Sequence, residues 1–245
     1  LSSAGRNFVD QYKAHLISLG INIDFIAVAD DVANCASCMM INDVHGNQVI
    51  GFYPGPDNPR RQSPETLPFI DNIALTILGP EEPELTLRQG RILFEHNVPL
   101  MVDPGQVISA FSRDQIRELL KLARYLVINH HEFEVLKTNG GLTDEEVFDQ
   151  VPEVVLTRGD KGVAIYSREG ICHVDAVPDV KVGEVTGCGD AFRAGYAYGI
   201  VNNLNLTERG QAGCIMAARN LENPETQRYR ITATELAILR TTIYG

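Results

Sequence analysis

The sequence lacks the features that would assign it to a membrane, secreted or nucleic-acid-binding class. Its 245 residues contain no apolar run long enough to cross a bilayer and no charged-then-apolar leader. Acidic side chains outnumber basic ones, 32 to 21, and the net charge of −11 argues against general binding to nucleic acid or to a membrane. A local anion site for a nucleotide is still compatible with an acidic surface. We therefore expect a cytoplasmic protein.

Cysteine is scarce, and the five residues are an odd number, which suits a reducing compartment better than a disulfide scaffold. Cys35 and Cys38 form a single C-x-x-C without a second pair or nearby histidines at suitable spacing. A structural role for them is favoured over a zinc site or a redox dithiol. His130 and His131 are adjacent, so their side chains point in different directions and make a poor chelator.

What is present is ordinary globular composition, 44% hydrophobic and 22% charged, in a length typical of one large domain or a domain with a small appendage. The first 53 residues predict a helix, a strand and a two-stranded hairpin. From residue 72 onward, short apolar strands alternate with amphipathic helices. The expected strands are 23–29, 35–42, 48–53, 72–78, 99–102, 125–128, 154–157 and 163–166; the expected helices are 7–19, 83–97, 113–124, 143–150, 190–202, 207–221 and 232–242. The alternation predicts a parallel sheet covered by helices, with ligands bound beyond the carboxyl ends of the strands.

Residues 183–195 (GEVTGCGDAFRAG) place three glycines directly before a helix. Glycine lets the backbone approach a ligand closely, and a helix N-terminus favours an anion, most often phosphate. Asp190 stands at the mouth of this turn, where a carboxylate would weaken simple phosphate binding, so its presence suggests chemistry. The alternative is a glycine-rich turn in which Asp190 is an ordinary helix cap.

Three predicted strands end in polar or glycine-bearing groups that would meet at one edge of the sheet, at 103–106, 129–132 and 157–162. Alone, Asn129 and Glu132 could simply cap a helix, and 157–162 could be a β-turn. Together with the anion site and its acid, they predict phosphoryl transfer, with Mg²⁺ bound through water. A dinucleotide oxidoreductase is excluded because Phe192 stands where the third glycine belongs. A P-loop NTPase is excluded because no G-x-x-x-x-G-K-[ST] occurs.

The residues 185–195 resemble the D-T-T-G-A-G-D-A-F-x-x-G signature of the ribokinase-like (PfkB) sugar and nucleoside kinases. Residues 129–132 match the N-x-x-E motif of that family, and 156–162 resemble its T-x-G-x-x-G nucleotide segment. The resemblance covers essentially the whole chain. It implies a three-layer α/β sandwich with a mostly parallel central sheet and a small β-lid, in a single kinase domain over 1–245.

The resemblance also implies roles for individual residues. Asp190 would be the general base, and the backbone N–H groups of Gly187, Cys188 and Gly189 would form the anion hole. Asn129 and Glu132 would organise Mg²⁺. The residues expected to contact ATP are Thr157, Gly159 and Gly162, with Asn220 near the adenine. The hairpin at 35–53 would form the β-lid over the substrate, through which a homodimer is possible.

The acceptor would be a small molecule, a nucleoside or a sugar. Residues 47–55, 103–106 and 221–229 look most like the bacterial adenosine kinase branch, so adenosine is favoured. A sugar kinase of ribose or fructose type, or a catalytically silent remnant of the fold, are the alternatives. The chain is expected to lack the N-terminal strand and Gly-Gly segment of the family, because its first residues are expected to lead straight into a helix.

Overall fold

The computed structural model describes residues 1–42, 48–56, 63–183, 185–227 and 229–245, which form two compact units, Leu1–Ile70 and Asp71–Gly245. Its strands are β1 Ser2–Gly5, β2 Ile26–Ala29, β3 Ser37–Asn42, β4 Gln48–Tyr53, β5 Thr76–Leu78, β6 Leu100–Val102, β7 Tyr125–Asn129, β8 Glu153–Thr157, β9 Val163–Ser167 and β10 Gly170–Val174. Its helices are α1 Asn7–Gln11, α2 Lys13–Ser18, α3 Pro83–Glu95, α4 Arg113–Leu122, α5 His130–Gly140, α6 Asp144–Gln150, α7 Cys188–Val201, α8 Leu206–Leu221 and α9 Ala233–Tyr244.

The first unit begins with a strand, so the expectation that the chain leads straight into a helix is wrong. β1 pairs in parallel with β2, with Ser2 opposite Ile26 and Gly5 opposite Ala29. The single helix expected over 7–19 is two short helices, because the backbone of Tyr12 leaves the helical region (φ −123°). Phe8 is the only buried residue that either helix contributes, so little packing opposes the break.

The predicted hairpin is present: β3 and β4 pair antiparallel, with Ser37 opposite Tyr53 and Ile41 opposite Val49. The turn expected at 43–47 lies outside the described residues. Met39, Ile41 and Val49 lie on one face of the hairpin and are 72%, 64% and 70% exposed. The predicted homodimer through this hairpin stays a prediction.

The second unit contains a six-stranded sheet in the order β10-β9-β8-β7-β6-β5. Strands β5 to β8 are parallel, as expected from their helical connections, and β9 and β10 add an antiparallel hairpin at one edge. The change of direction follows from the connection, since only a short turn containing Gly159–Lys161 joins β8 to β9. A parallel crossover needs a dozen residues or more.

Helices cover both faces of this sheet, which makes three layers. Within one set, α4 contacts α3, α5 and α6; within the other, α8 contacts α7 and α9. Side chains alternate along β7: Tyr125 and Val127 join a core cluster with Phe192 and Tyr196 of α7, and Leu126 and Ile128 are buried on the opposite face. This packing fixes α7, which begins at the predicted anion site, against the sheet.

Among the described residues, no helix is both long and apolar enough to cross a membrane.

Candidate active site

The glycine turn that the sequence predicts before a helix is present at the start of α7. Gly187 is left-handed, with φ +79° and ψ 0°, and forms the N-cap of the helix. A Cβ at this position would lie 3.3 Å from Asn220 Oδ1 and 3.2 Å from Thr226 Cγ2. No side chain caps α7, so Asp190 is not the ordinary cap that was the alternative interpretation. The helix therefore presents its backbone N-terminus, with the acid in its first turn.

The backbone around this turn is partly committed to internal hydrogen bonds. The Cys188 N–H, one of the three predicted donors, donates to Val185 O at 3.2 Å. A bound anion would therefore compete with this carbonyl oxygen for the N–H group. Gly189 lies in the first turn of α7, where backbone N–H groups have no partner within the helix. The predicted anion hole therefore depends most directly on Gly189.

Asn220 supports the turn from behind. Its side chain is 1% exposed, and its Nδ2 donates to Thr186 O at 2.8 Å. It does not line the neighbouring cleft, and its place near the adenine stays a prediction. Its Oδ1 is buried and has no hydrogen-bond partner among the described residues. The observed role of this residue is to hold the backbone that precedes the helix.

Two of the predicted strand ends are direct neighbours. Asn129 at the end of β7 is paired with Thr157 at the end of β8. Thr157 Oγ1 donates to Ile128 O at 3.4 Å. The turn that follows β8 passes close to the backbone after β10, since a Cβ on Gly162 (φ +73°) would lie 2.0 Å from Val174 O. Only glycine fits this position, and the turn is thereby held at the carboxyl-terminal edge of the sheet.

An open cleft of about 890 Å³ lies beside these strand ends. Its wall is mostly apolar, and among the described residues that line it the acidic ones are Asp160 and Asp179. The predicted site residues that line it are Asn129, Thr157, Gly159, Gly162, Cys188 and Gly189. Glu132, Gly187, Asp190 and Asn220 are not on its wall. A partly apolar cleft of this volume, with a helix N-terminus on its wall, is large enough for a nucleotide and suits its anionic phosphates.

Asn129 and Glu132 form a reciprocal capping box at the start of α5. Asn129 Oδ1 accepts from the Glu132 N–H at 2.9 Å, and Glu132 Oε2 accepts from the Asn129 N–H at 3.3 Å. Asn129 and Glu132 therefore do cap a helix, which was the alternative interpretation of this pair. It does not exclude a metal role, because a carboxylate has further acceptor capacity and Mg²⁺ commonly binds through water.

An ion cluster connects Asp190 to the sheet, and it was missed by the sequence interpretation. Arg193 lies on α7 and is 9% exposed. Its guanidinium contacts Asp190, one helical turn earlier, and its Nη1 is 2.8 Å from Asp103 Oδ2. Asp103 follows β6, and its Oδ1 accepts from the Gly105 N–H at 3.0 Å. The spacing of three residues between Asp190 and Arg193 is the ordinary helical ion-pair signal that could have indicated this contact.

The charge balance of this region is negative. Burial raises the pKa of Asp103 to about 6; Arg193 opposes that change, while the charges of Glu132 and Asp190 add to it. The carboxylates of Glu132 and Asp190 thus both act on Asp103, and the charge of Arg193 opposes them. Such a surplus fits a cation held nearby. Among the described residues, however, no group of three acidic, His or Cys side chains is close enough to hold a metal directly.

Cys188 lies on the cleft wall within the anion turn. Burial raises the pKa of its thiol, so the thiol remains protonated at neutral pH. The side chain therefore behaves as a small uncharged group, and the function of this position is carried by its backbone.

The molecule combines a mostly parallel sheet, an acid in the first turn of a helix and a neighbouring cleft large enough for a nucleotide. These are the features expected of a small-molecule kinase. Residues 1–232 match the family model described as pfkB family carbohydrate kinase, and the chain belongs to that family. The predicted family, fold class and enzyme class are thereby confirmed, and the reaction is phosphoryl transfer.

Individual relatives are similar to nearly all of the chain. A nucleoside kinase from Methanocaldococcus jannaschii is 25% identical over 219 residues, which cover 89% of this chain and 71% of the relative. The structure of Burkholderia thailandensis nucleoside kinase in complex with inosine superposes with a TM-score of 0.92 at 28% identity, covering 100% of this chain and 81% of that one. The ADP-inosine complex of the same kinase superposes with a TM-score of 0.90 at 27% identity, covering 100% and 76%.

Proposed function

We propose that the protein transfers the γ-phosphoryl group of ATP to a hydroxyl of a purine nucleoside, with Asp190 as the general base. The observation that carries this proposal is the meeting of three features at one edge of the sheet: the start of α7, the paired ends of β7 and β8, and the apolar cleft. The relatives named above support a nucleoside acceptor, and one of them was crystallised with inosine and with ADP-inosine.

In the proposed reaction, Asp190 accepts the proton of the acceptor hydroxyl as its oxygen attacks the γ-phosphorus. The bond from the γ-phosphorus to the β–γ bridging oxygen breaks, and ADP leaves with the electron pair. The side chain of Asp190 is 74% exposed, so it is accessible to a hydroxyl. In a loose phosphoryl transition state the base mainly orients the nucleophile, while positioning and charge stabilisation supply most of the acceleration.

We assign the donor to the 890 Å³ cleft, with Thr157, Gly159 and Gly162 along it and the N–H of Gly189 facing the phosphates. Glu132 would hold hydrated Mg²⁺ through its carboxylate, together with Asn129. The metal would supply charge neutralisation of the phosphates. The excess of carboxylates over the described guanidinium is the observation that fits a cation here.

The experiment is ADP release by the protein across a panel of adenosine, inosine, guanosine, cytidine, ribose and fructose 6-phosphate. We expect adenosine or inosine to give the highest kcat/KM, at least tenfold above either sugar. A panel in which only the sugars stimulate ADP release would replace the nucleoside proposal by the sugar kinase of the same family. A panel in which nothing stimulates release would contradict catalysis by this chain.

A further inference from the structure

The position of Arg193 is unusual for an arginine with a purely structural role. Its guanidinium is held between two carboxylates from separate elements, Asp103 after β6 and Asp190 in the first turn of α7. One buried carboxylate already neutralises it, since the side chains of Asp103 and Arg193 are 15% and 11% exposed. Pairing with Asp190, which is 74% exposed, adds little to stability at a solvent-exposed site.

The contact with Asp103 is also poorly suited to a structural ion pair. Nη1 of Arg193 lies 2.8 Å from Asp103 Oδ2, yet it is buried and has no aligned hydrogen-bond partner in the part of the chain that the structure describes. A buried donor that is left unaligned destabilises a fold. The geometry therefore favours a functional reason for placing the guanidinium between the two carboxylates. The contact that Nη2 makes with Asp190 Oδ1 indicates that this function concerns Asp190.

We propose that Arg193 is a positioning residue that holds the carboxylate of Asp190 in the one rotamer from which it accepts the proton of the acceptor hydroxyl. This inference rests on the proposed function, in which Asp190 is the base. Arg193 occupies one carboxylate oxygen, Oδ1, and leaves Oδ2 for the hydroxyl. The chain of contacts from the Gly105 N–H through Asp103 to Arg193 anchors this arrangement to the end of β6.

The arrangement favours orientation of the base. An exposed side chain that samples several rotamers loses productive geometry, and in a loose phosphoryl transition state positioning contributes more than proton transfer. The described groups that interact with Asp190 include Arg193 on its own helix, Asp103 after β6 and Tyr229 before α9.

The test is a double-mutant cycle on kcat with Arg193→Met and Asp190→Asn. We expect Arg193→Met to lower kcat 10- to 100-fold with the KM for ATP changed less than threefold, because ATP lies in the cleft and does not depend on the Asp190 rotamer. The double variant should be no slower than Asp190→Asn alone.

Arg209→Met is the matched control. Arg209 on α8 is another arginine paired with a carboxylate, with its Nη1 3.1 Å from Oε2 of Glu153. Glu153 is at the amino-terminal end of β8, away from the cleft. We expect Arg209→Met to lower stability and to leave kcat within threefold of the wild type. If Arg193→Met unfolds, the variant that combines Asp103→Asn with Arg193→Met is tested in its place, because it removes both buried charges. Arg193→Lys keeps the positive charge and should have a kcat between those of Arg193→Met and the wild type.

Two outcomes separate this inference from the proposed function. A normal kcat in Asp190→Asn would remove the base assignment and the inference with it. If Asp190→Asn is slow but a folded Arg193→Met has a kcat within threefold of the wild type, the role of Arg193 alone is overturned. The same conclusion follows if the two losses of kcat multiply in the double variant.

Discussion

Asp190 is the residue on which the proposed chemistry depends. It stands in the first turn of α7, where the positive end of the helix dipole favours a carboxylate, and it is exposed to an acceptor. We expect Asp190→Asn to lower kcat by roughly 10²–10⁴-fold, the usual contribution of a general base, with ATP affinity retained. Steady-state ADP release and ATP binding by calorimetry measure the two quantities. Turnover near that of the wild type would contradict the assignment.

Gly187 is required for a different reason, since its backbone is left-handed and Asn220 and Thr226 leave little room for a Cβ. We expect Gly187→Ala to lower stability by about 1–2 kcal/mol through backbone strain, and to reduce kcat at least tenfold because the turn that we propose holds the phosphate shifts. Urea unfolding and ADP release check the two effects.

Gly141→Ala is the control for Gly187→Ala. Gly141 is also left-handed, with φ +57°, but an added Cβ would meet only the end of the flexible Arg113 side chain. This variant should lose stability and keep its kcat. An equal loss of kcat in both variants would show that strain alone, and not the position of the anion turn, determines activity.

At the scale of the secondary-structure elements, α5 combines a structural cap with the proposed metal site. Glutamine can replace glutamate in a capping box, so Glu132→Gln removes the charge while the helix start is retained. We expect the unfolding free energy to be nearly unchanged and the Mg²⁺ concentration at half-maximal activity to rise roughly tenfold. A Mg²⁺ titration of ADP release measures this.

The matched control for Glu132→Gln is Glu146→Gln. Glu146 occupies the same position in the capping box of α6, where its Oε2 accepts from the Thr143 N–H at 2.8 Å, and α6 does not line the cleft. The control should leave the Mg²⁺ requirement unchanged. A Glu132→Gln enzyme with wild-type Mg²⁺ dependence would restrict Glu132 to its capping role.

At the scale of the whole molecule, the raised pKa of Asp103 makes stability depend on pH. Burial raises this pKa from 3.8 to about 6, so the folded protein binds a proton more tightly than the unfolded chain does. The contribution of this group is therefore greatest below its unfolded pKa and is lost as pH rises through about 6, by up to roughly 3 kcal/mol.

The corresponding measurement is the unfolding free energy of the wild type and of Asp103→Asn from pH 4.5 to 7. We expect the difference between them to change with pH in this window, with the wild type losing stability relative to the variant as pH rises. Parallel curves would show that Asp103 titrates at its ordinary pKa in the folded protein.

The sequence by itself determined the second unit of the fold in some detail. Apolar runs of four or five residues between amphipathic helices have one stable arrangement, a parallel sheet covered on both faces, and the observed strands β5 to β8 follow it. Local chemistry also sufficed for the helix at 143–150 and for the glycine turn before α7, because each depends on residues close together in the chain. The pairing of Asn129 with Thr157 followed from the rule that parallel strands end at one edge.

Only the tertiary structure decided the rest, because the deciding contacts join residues far apart in the chain. β1 is a strand because β2, more than 20 residues later, provides its hydrogen-bond partners. Asn220 is turned towards Thr186 by the packing of α8, and no local pattern indicates that direction. Asp103 and Arg193 come together because β6 and α7 pack against each other, and burial there sets both the pKa of Asp103 and the position of the guanidinium beside Asp190. Burial is a property of the folded molecule, so it cannot be predicted from the composition of one segment.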